Sequence, residues 1–440
     1  MKFFPMIAAL AGCLVAIGLQ AGAAAGPAVS AAAARNSAAA PAAAGSTAAS
    51  AHYANALYLA SHKIGADTLT QLGRALFFDP SLSASGRQSC ASCHSPDFAF
   101  GPPNDLSVQF GGRDMKRPGT RAAPSLRYAQ TTPPFSEHYH DDDGDDSVDA
   151  GPTGGRNWDG RADSPHEQAR IPLLSPHEMA NASPAEVVAK LKKAAYAPQL
   201  RAAFGAAIFD NTDRAFEAAL TALEVFQESP DDFYPYTSKY DAFLRGQATL
   251  DRRELRGLAL FNDPEKGNCA SCHLSEVLPN GAFPQFTDYG LIALGVPRNR
   301  KIVANRDPHY FDFGVCGPDR TDLMDKEEYC GLFKTPTLRN VALRHSFFHN
   351  GVFHSLQQVM EFYVQRDTNP EKWYPRRRDG SIQKFDDLLP RHYANVNTDP
   401  PFDRKPGEKP ALDAAEIQDV IAFLKTLTDG WSPAAPPKTR

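Results

Sequence analysis

One pentapeptide, C-A-S-C-H, occurs twice in this chain, at residues 90–94 and again at residues 269–273. The stretches before the two copies are also alike, L-G-R-A-L-F-F-D-P in the first case and L-R-G-L-A-L-F-N-D-P in the second. Each stretch predicts a short amphipathic helix that ends at Asp-Pro, because the residue before a proline is disfavoured in a helix. The duplication therefore predicts two related modules in tandem.

The repeated pentapeptide fits C-x-x-C-H, the attachment signal for a c-type haem. Two thiols bond to the vinyl groups of the haem, and the adjacent histidine becomes an axial ligand of its iron. A zinc site would need all four cysteines close together, but the two pairs lie far apart in the sequence. A thioredoxin-like redox pair would need a βαβ pattern, which the sequence lacks. We therefore expect two covalently bound c-type haems, attached to Cys90, Cys93 and His94 and to Cys269, Cys272 and His273.

The rest of the sequence predicts a mainly α-helical protein. A length of 440 residues suggests two domains, and no stretch shows the sustained period-two alternation of strands. Ser183 and Asp413 each begin a predicted helix with a capping box. We expect two tandem cytochrome c-like haem domains with long loops. The predicted segments are a signal peptide at 1–25, an Ala-rich disordered linker at 26–62, an N-terminal haem domain at 63–235, a C-terminal haem domain at 236–432 and a tail at 433–440.

The N-terminus has the layout of a secretory signal. Lys2 precedes an apolar run, and the small residues Ala21, Ala23 and Ala25 form a cleavage site. A lipid anchor at Cys13 is the alternative, but the residues after Cys13 stay apolar, as they do inside a signal core. No other run is long enough to predict a membrane span. The signal predicts export to the periplasm.

Two cysteines, Cys316 and Cys330, lie outside the haem motifs and the signal. Because an exported protein meets an oxidising compartment, we expect these two residues to form a disulfide that closes a short loop. Two free buried thiols are the alternative. A disulfide would stabilise this loop by restricting the unfolded chain.

The residues after the first motif predict an iron that is open on its distal side. After His94 the next histidine is His138, beyond a loop rich in Gly and Pro, and the nearby Met115 lies in a charged loop. An open iron binds an exogenous ligand, and hydrogen peroxide is the obvious one. A carboxylate near the iron would move the proton that O–O cleavage requires. Glu178 and Gln168 are the candidates for work on peroxide, with Pro172 shaping the turn between them, although each alone is more often a surface residue.

The second iron is predicted to be closed by the helix S-L-Q-Q-V-M-E-F-Y-V-Q, which begins after Ser355 with a capping box. Met360 and Tyr363 share one face of this helix, and either can ligate iron. Filling a hydrophobic core is the alternative role for both. The histidines at 345, 349 and 354 are expected to be hydrogen-bonded structural residues.

Taken together, the motifs give the chain a family resemblance from about residue 72 to residue 427. It resembles the bacterial di-haem cytochrome c peroxidases, and within them the MauG-like branch. The marks are the two C-A-S-C-H motifs together with N-W-D-G-R-A at 157–162, E-Q-A…P…H-E-M at 167–179, K-T-P-T-L-R-N-V at 334–341 and F-F-H-N-G-V-F-H-S-L at 347–356.

The resemblance implies a role for each matching position. It makes His94 the ligand of a peroxide-reactive haem and Trp158 a relay between the two haems. The distal Gln, Pro and Glu of the family match Gln168, Pro172 and Glu178.

At the second haem, the position that carries the ligand Met in ordinary members is Tyr363 here, as in the MauG-like branch. A hard phenolate favours oxidised iron, so the resemblance implies a second haem that can store an oxidising equivalent. The absence of a distal histidine before R-A-A-P-S fits a first haem that is always open.

The resemblance also implies a calcium ion between the haems, but the expected ligands differ in this chain. Ala122 stands where the family has Asn, and the T-x-P stretch reads Arg344-His345-Ser346. Backbone carbonyls and water remain as possible ligands. An Asp-rich insert at 140–151 lacks EF-hand spacing and predicts a solvated acidic loop, with a bound metal or a basic partner as the alternative.

The predicted function is that of a periplasmic di-haem oxidoreductase that reacts with hydrogen peroxide. Its electrons would come from a small cytochrome c or from a protein substrate. The net charge of −5 gives no basic footprint, so we expect no nucleic acid. An ordinary cytochrome c peroxidase and a non-catalytic di-haem electron carrier are the alternatives.

Overall fold

The computed structural model describes residues 43–140 and 149–433, with side chains from residue 50 onward. The predicted signal peptide, Cys13, the first part of the predicted linker, most of the Asp-rich insert and the end of the tail lie outside the described residues.

The described residues are mainly helical, as predicted, and their strands are only two residues long. None of their helices is long and apolar enough to cross a bilayer. The helices are α1 (Ala43–Ser61), α2 (Ala66–Phe77), α3 (Pro165–Leu174), α4 (Pro184–Leu191), α5 (Ala197–Phe204), α6 (Thr212–Gln227), α7 (Pro230–Phe233), α8 (Lys239–Leu244), α9 (Arg252–Asn262), α10 (Leu356–Gln365) and α11 (Ala414–Lys425). Antiparallel pairs join β1 (Phe110–Gly111) to β2 (Arg117–Pro118) and β3 (Leu291–Ile292) to β4 (Phe333–Lys334).

The predicted helix starts are confirmed by their caps. The Asp413 side chain accepts from two backbone N–H groups of α11 and forms a full capping box with Glu416. Ser183 also caps α4, through the N–H of Glu186. There the Glu186 carboxylate accepts from Ala182, one residue before the cap, so the reciprocal bond of a capping box is shifted outward.

Two hydrophobic cores divide the chain between Phe233 and Tyr240. The first core runs from Leu69 to Phe233, and the second runs from Tyr240 to Leu427. The predicted domain boundary at 235–236 falls in this interval. Residues from Gly45 onward nevertheless form one compact unit, so the two-domain division stays a prediction.

Both cores repeat the same helix crossing. In the first, α2 packs on α6 at Gly73, where an added Cβ would lie 1.9 Å from the carbonyl oxygen of Ala222. In the second, α9 packs on α11 at Gly257, where an added Cβ would lie 2.0 Å from the carbonyl oxygen of Asp419. Only glycine allows backbones to approach this closely. The repeat seen in the sequence is therefore a repeat of packing.

An aromatic triplet lies beside each crossing. The rings pack edge to face or tilted, at centroid distances of 5.4, 5.7 and 6.3 Å in the first core and 5.3, 6.1 and 6.2 Å in the second. Such pairs add stability beyond their buried area. The triplets are Phe77, Phe100 and Phe226 in the first core and Phe261, Phe286 and Phe423 in the second.

The prediction of a disordered linker at 26–62 is wrong for its described part. Residues Ala43–Ser61 form α1. Asn55 is fully buried, and its side chain donates to the carbonyl of Arg214 at 2.8 Å. Alanine is the strongest helix former, and a few larger residues among the alanines supply the contacts that hold the helix. The composition predicted disorder because alanine methyls alone bury too little surface to order a segment.

The predicted disulfide is confirmed: Cys316 and Cys330 are bonded to each other. Among the described residues the four cysteines of the two C-A-S-C-H motifs are the free thiols. The oxidised pair therefore leaves both attachment motifs intact.

Candidate haem and peroxide sites

The first motif holds its histidine in the form that ligates iron. Cys90–Ser92 form a single 3-10 turn, and the His94 ring lies with Nδ1 at 3.0 Å from the carbonyl oxygen of Phe100. A proton on Nδ1 donates to this carbonyl and leaves Nε2 free as a ligand. Burial lowers the pKa of His94 to about 4, so the ring stays neutral.

The second motif repeats this arrangement. Cys269–Ser271 form a 3-10 turn, and Nδ1 of His273 lies 2.9 Å from the carbonyl oxygen of Phe286. Burial again lowers the pKa of the histidine to about 4. Phe100 and Phe286 both have a φ of 54°, a left-handed conformation that is uncommon outside glycine. The shared outlier supports a common function for the two turns.

The thiols of the two motifs fit haem attachment and do not fit one zinc site. Cys90 packs against the first core and Cys269 against the second, so the pairs belong to different parts of the fold. Burial raises the pKa of Cys90 to about 12 and that of Cys93 to about 11. These are neutral thiols in apolar surroundings, each pair followed by a histidine with a free Nε2, which is the donor set of a c-type haem.

A cavity of about 600 Å³ is lined by residues from both halves of the chain. Its volume lies within the usual range for ligand and cofactor pockets. It brings together predicted residues that are far apart in the sequence. Its walls include Trp158 and Gln168 from the first half of the chain and Cys269, Cys272, His273, Met360 and Tyr363 from the second.

Trp158 is buried and is fixed from both halves. Its indole Nε1 donates to the carbonyl of Ala122 at 2.8 Å. Its own carbonyl accepts from the backbone N–H of Lys334 at 2.8 Å. The ring is thus held at a defined position between the segment that follows the first motif and the segment that follows the second.

Gln168 lies on α3 and faces the cavity, with Nε2 at 3.4 Å from Oδ1 of Asn157. Pro172 is inside the same helix, so the prediction that it shapes a turn between Gln168 and Glu178 is wrong. Pro172 has no N–H to donate to the carbonyl of Gln168, and its own carbonyl accepts from Met179 at 3.0 Å.

Glu178 lies beside the first motif. Its backbone carbonyl accepts from Gly112 at 2.8 Å. The neighbouring Gly111 has no side chain, and a Cβ there would lie 2.7 Å from the Glu178 carbonyl oxygen and 2.8 Å from Oε1 of Gln88. Gln88 in turn donates to Sγ of Cys93 at 3.7 Å. Burial raises the pKa of the Glu178 carboxyl, and a hydrogen bond from Ser175 lowers it by less, so the pKa lies above its ordinary value.

Both candidate ligands on α10 line the cavity. Met360 is buried in the second core, and the Tyr363 ring lies between Phe348 and Phe402, at centroid distances of 5.9 and 5.5 Å. Burial and then the nearby thiols of the second motif raise the pKa of Tyr363. The phenol therefore lies close to the second motif, and α10 presents two possible iron ligands to it.

Of the three histidines near α10 that were expected to be hydrogen-bonded structural residues, His354 has a hydrogen bond through its ring. His349 stacks on Phe333 with a centroid distance of 3.5 Å, and its carbonyl accepts from Ala122 at 2.7 Å. The His354 ring bonds through Nδ1 to the carbonyl of His345 at 2.9 Å. The contact of His354 fits a structural role, whereas His349 also lines the cavity.

Sequence reasoning missed a buried ion-pair network next to Trp158. Arg121 pairs with both oxygens of Asp312 at 2.7 Å and with Asp159 at 2.6 Å. Arg161 joins the same Asp159 at 2.7 Å. In the sequence, this network was visible only as charged residues within N-W-D-G-R-A and before A-A-P-S. The pairing itself could not be predicted, because the partners lie far apart in the chain. The network anchors the loop that carries Trp158.

The residues present do not fit the calcium that the resemblance implies. Calcium takes six to eight oxygen ligands. Ala122 supplies a methyl group where the family has an amide. The carbonyls of Ala123 and Ser346 already accept from the Arg344 guanidinium, at 3.1 and 3.3 Å. A cationic side chain among these carbonyls disfavours a metal ion there.

The sequence matches the di-haem cytochrome c peroxidase family over residues 67–249. It is 34% identical over 381 residues to the methylamine utilization protein MauG of Paracoccus denitrificans, which covers 82% of this chain and 89% of that protein. The chain belongs to the di-haem cytochrome c peroxidase family. This predicted membership is confirmed, and it makes the protein a haem-dependent oxidoreductase with a peroxidase or oxidase function.

Two further relatives support the assignment. The cytochrome c551 peroxidase of Nitrosomonas europaea is 30% identical over 305 residues, 69% of this chain and 75% of that protein. The crystal structure of the diheme peroxidase BthA from Burkholderia thailandensis superposes with a TM-score of 0.73 at 39% identity, over 82% of this chain and 86% of that one. Membership of this family implies two c-type haems, hydrogen peroxide as oxidant and a protein electron donor.

Proposed function

We propose that this protein is a periplasmic, MauG-like di-haem enzyme that reduces hydrogen peroxide at its first haem site and draws electrons from a protein through its second. One observation carries the proposal. Trp158 and Gln168 line the same cavity as the second motif and Tyr363, while Glu178 lies beside the thiols of the first motif.

The haem sites would be held by the chain's own thiols and histidines. Cys90, Cys93 and His94 would attach the first haem, and the matching residues of the second motif would attach the second. Bound haem supplies the redox chemistry that accepts oxidising equivalents from peroxide. The protein's part is to fix the histidines by their Nδ1 hydrogen bonds and to enclose the site.

Gln168 and Glu178 would handle peroxide itself. The Gln168 carboxamide would donate a hydrogen bond that orients peroxide in the site. A carboxylate oxygen of Glu178 takes the proton from one peroxide oxygen and returns it to the other, which then leaves as water. The raised pKa of Glu178 suits this role, because a shuttle must both accept and release the proton near neutral pH.

Trp158 would carry electrons between the halves of the molecule. Its ring is clamped through Nε1 and through its carbonyl, so little reorganisation accompanies the transfer. Tyr363 would ligate the second iron, with Met360 as the alternative on the same helix. A phenolate ligand would favour the oxidised metal, and a thioether would favour the reduced one.

Spectroscopy of the second haem tests the ligand. Resonance Raman and near-infrared spectra of the holoprotein are compared for wild type, Tyr363→Phe and Met360→Leu. We expect the Tyr363 change alone to remove the signature of the sixth ligand. If only the Met360 change does so, the MauG-like assignment fails and an ordinary peroxidase is the better description.

The similarity to a cytochrome c551 peroxidase favours one second candidate, peroxide removal with a small cytochrome c as donor. Steady-state turnover with hydrogen peroxide and a reduced small cytochrome c separates the two. Fast turnover supports the second candidate. Slow turnover, together with a specific protein recovered by cross-linking to the oxidised enzyme, supports a modifying oxidase. A holoprotein that does not react with peroxide would be an electron carrier only.

The periplasmic location rests on the predicted signal at 1–25 and is consistent with the Cys316–Cys330 disulfide, since such bonds persist in oxidising compartments. N-terminal sequencing of the mature protein tests it. Cleavage after Ala23 or Ala25 is expected, whereas a mature chain that begins at a lipidated Cys13 would indicate a membrane anchor.

A further inference from the structure

One guanidinium joins the backbones of the two modules. Arg344 donates through Nη2 to the carbonyl of Ala123 at 3.1 Å, a residue 221 positions away. It also donates through Nε to the carbonyl of Ser346 at 3.3 Å. A Cβ added to Gly101 would lie 3.8 Å from Nη1, so the third nitrogen points toward the loop after the first motif.

Arg344 differs from the other arginines inside the molecule. Arg298, Arg339 and Arg366 are buried and each pairs with an aspartate. Within residues 50–140 and 149–433 no carboxylate lies within ion-pair distance of Arg344. The side chain lines the cavity, and burial lowers its pKa to about 10, which leaves it charged at neutral pH. Its positive charge therefore lies on the wall of the cavity between the two modules.

The charge acts unequally on the two motifs. The guanidinium bonds to Ala123 and faces Gly101, the residue after Phe100, whose carbonyl lies against Nδ1 of His94. Its hydrogen bonds within the described residues go to Ala123 and Ser346 and not to the loop of Phe286, which carries the matching carbonyl for His273. A fixed positive charge stabilises the electron-rich state of a nearby redox centre, because that state carries one more negative charge. The charge of Arg344 is therefore expected to raise the reduction potential at the first haem site more than at the second.

We infer that Arg344 is a built-in cation that takes the place of the intermodule calcium: it ties together the Ala123 and Ser346 carbonyls and raises the reduction potential of the first haem relative to the second, so that this enzyme works without calcium. The inference rests on the proposed function in one respect only, that the two haems exchange electrons. A guanidinium suits the task because its planar fork satisfies several carbonyls and keeps its charge.

Metal analysis and redox titration of the full holoprotein test the inference. Wild type is dialysed against EGTA, its calcium is measured by plasma mass spectrometry, and both haem potentials are titrated. We expect substoichiometric calcium and no change in spectrum or potentials. Arg344→Gln should shift the first potential downward more than the second, and Arg344→Lys should shift it less. Arg113→Gln is the matched control, since Arg113 is exposed and pairs with Glu186.

A gain-of-binding variant completes the test. Ala122→Asn combined with Arg344→Thr should bind added calcium stoichiometrically and recover the first potential toward that of wild type. One tightly held calcium per wild-type chain, or equal potentials in wild type and Arg344→Gln, would overturn the inference. If Arg344→Gln does not fold, the wild-type calcium content and the Arg344→Lys potential still decide. Because potentials are measured without peroxide, failure of the peroxidase proposal would show separately as a missing peroxide reaction.

Discussion

The two modules are alike around their haem-attachment motifs. Each begins with a helix that crosses its partner at a glycine, Gly73 in the first module and Gly257 in the second. Each motif forms one 3-10 turn and turns its histidine toward a phenylalanine carbonyl, at 3.0 Å and 2.9 Å. The shared half of each module thus delivers a neutral histidine with a free Nε2.

The modules differ in what the rest of the chain adds. In the second, α10 places Met360 and Tyr363 on the wall of the cavity that contains the motif. In the first, α3 and the segment after it contribute Gln168 and Glu178, an amide and a carboxylate. The repeated part of each module thus presents the cysteines and the histidine, and the side chains that differ between the modules come from segments outside the repeat.

The largest expected effect is a loss of stability when the helix crossing that both modules share is disrupted. Gly73→Ala and Gly257→Ala should each destabilise the protein by about 3 kcal/mol or more, because the new methyl would overlap a backbone carbonyl that cannot move as a side chain can. Urea unfolding followed by circular dichroism measures the loss. Gly65→Ala is the control, since a Cβ there meets nothing within 4 Å. Equal stability of Gly65→Ala and Gly257→Ala would show that the crossing is looser than described.

The next-largest effect concerns Glu178, a residue that belongs to the part of the first module that the second does not repeat. Glu178→Gln should slow the reaction of the holoprotein with hydrogen peroxide by ~100-fold or more, the usual consequence of losing an acid–base group. Stopped-flow absorbance in the Soret region measures the rate. Glu167→Gln, an exposed change on α3, should leave it unchanged. An unaltered rate in Glu178→Gln would remove this residue from the mechanism and reduce the contrast between the modules to their sixth ligands.

Sequence reasoning succeeded where the signal was local. The attachment motifs, the cap of α11 at Asp413 and the Cys316–Cys330 disulfide each depend on residues close in the chain or on a strong chemical rule. Helical spacing predicted that Met360 and Tyr363 share one face of α10, and both line the cavity. The same spacing leaves Met360 as a rival, because one helical face carries both.

Sequence reasoning failed where long-range contacts decide. The order of α1 depends on Asn55 meeting Arg214 far along the chain, which an alanine-rich composition does not reveal. Pro172 was predicted to shape a turn, because proline disfavours the interior of a helix, but the structure places it within α3. The Arg344 contact with Ala123 joins the two modules and had no counterpart in any local pattern.

The smallest effect concerns the pH sensitivity of the contact between α3 and α6 in the first core. His166 on α3 lies with Nε2 at 2.5 Å from a carboxylate oxygen of Glu217 on α6. Burial alone would lower the pKa of His166, but hydrogen bonds to Glu217 and Glu224 raise it to about 9. Arg170 also pairs with Glu217.

Because the folded pKa of His166 lies above its ordinary value of 6.5, the stabilisation is complete below about pH 6.5 and is lost as the pH rises through 9. A hydrogen bond between charged groups contributes about 2 kcal/mol, which bounds the effect. Amide exchange, corrected for the intrinsic rate at each pH, should show α3 and α6 opening more readily at pH 9.5 than at pH 6.5, with α9 and α11 unchanged. His166→Gln should abolish the difference. The same pH dependence in that variant would place its origin elsewhere, and a matching response in α9 and α11 would mean that the two cores open as one.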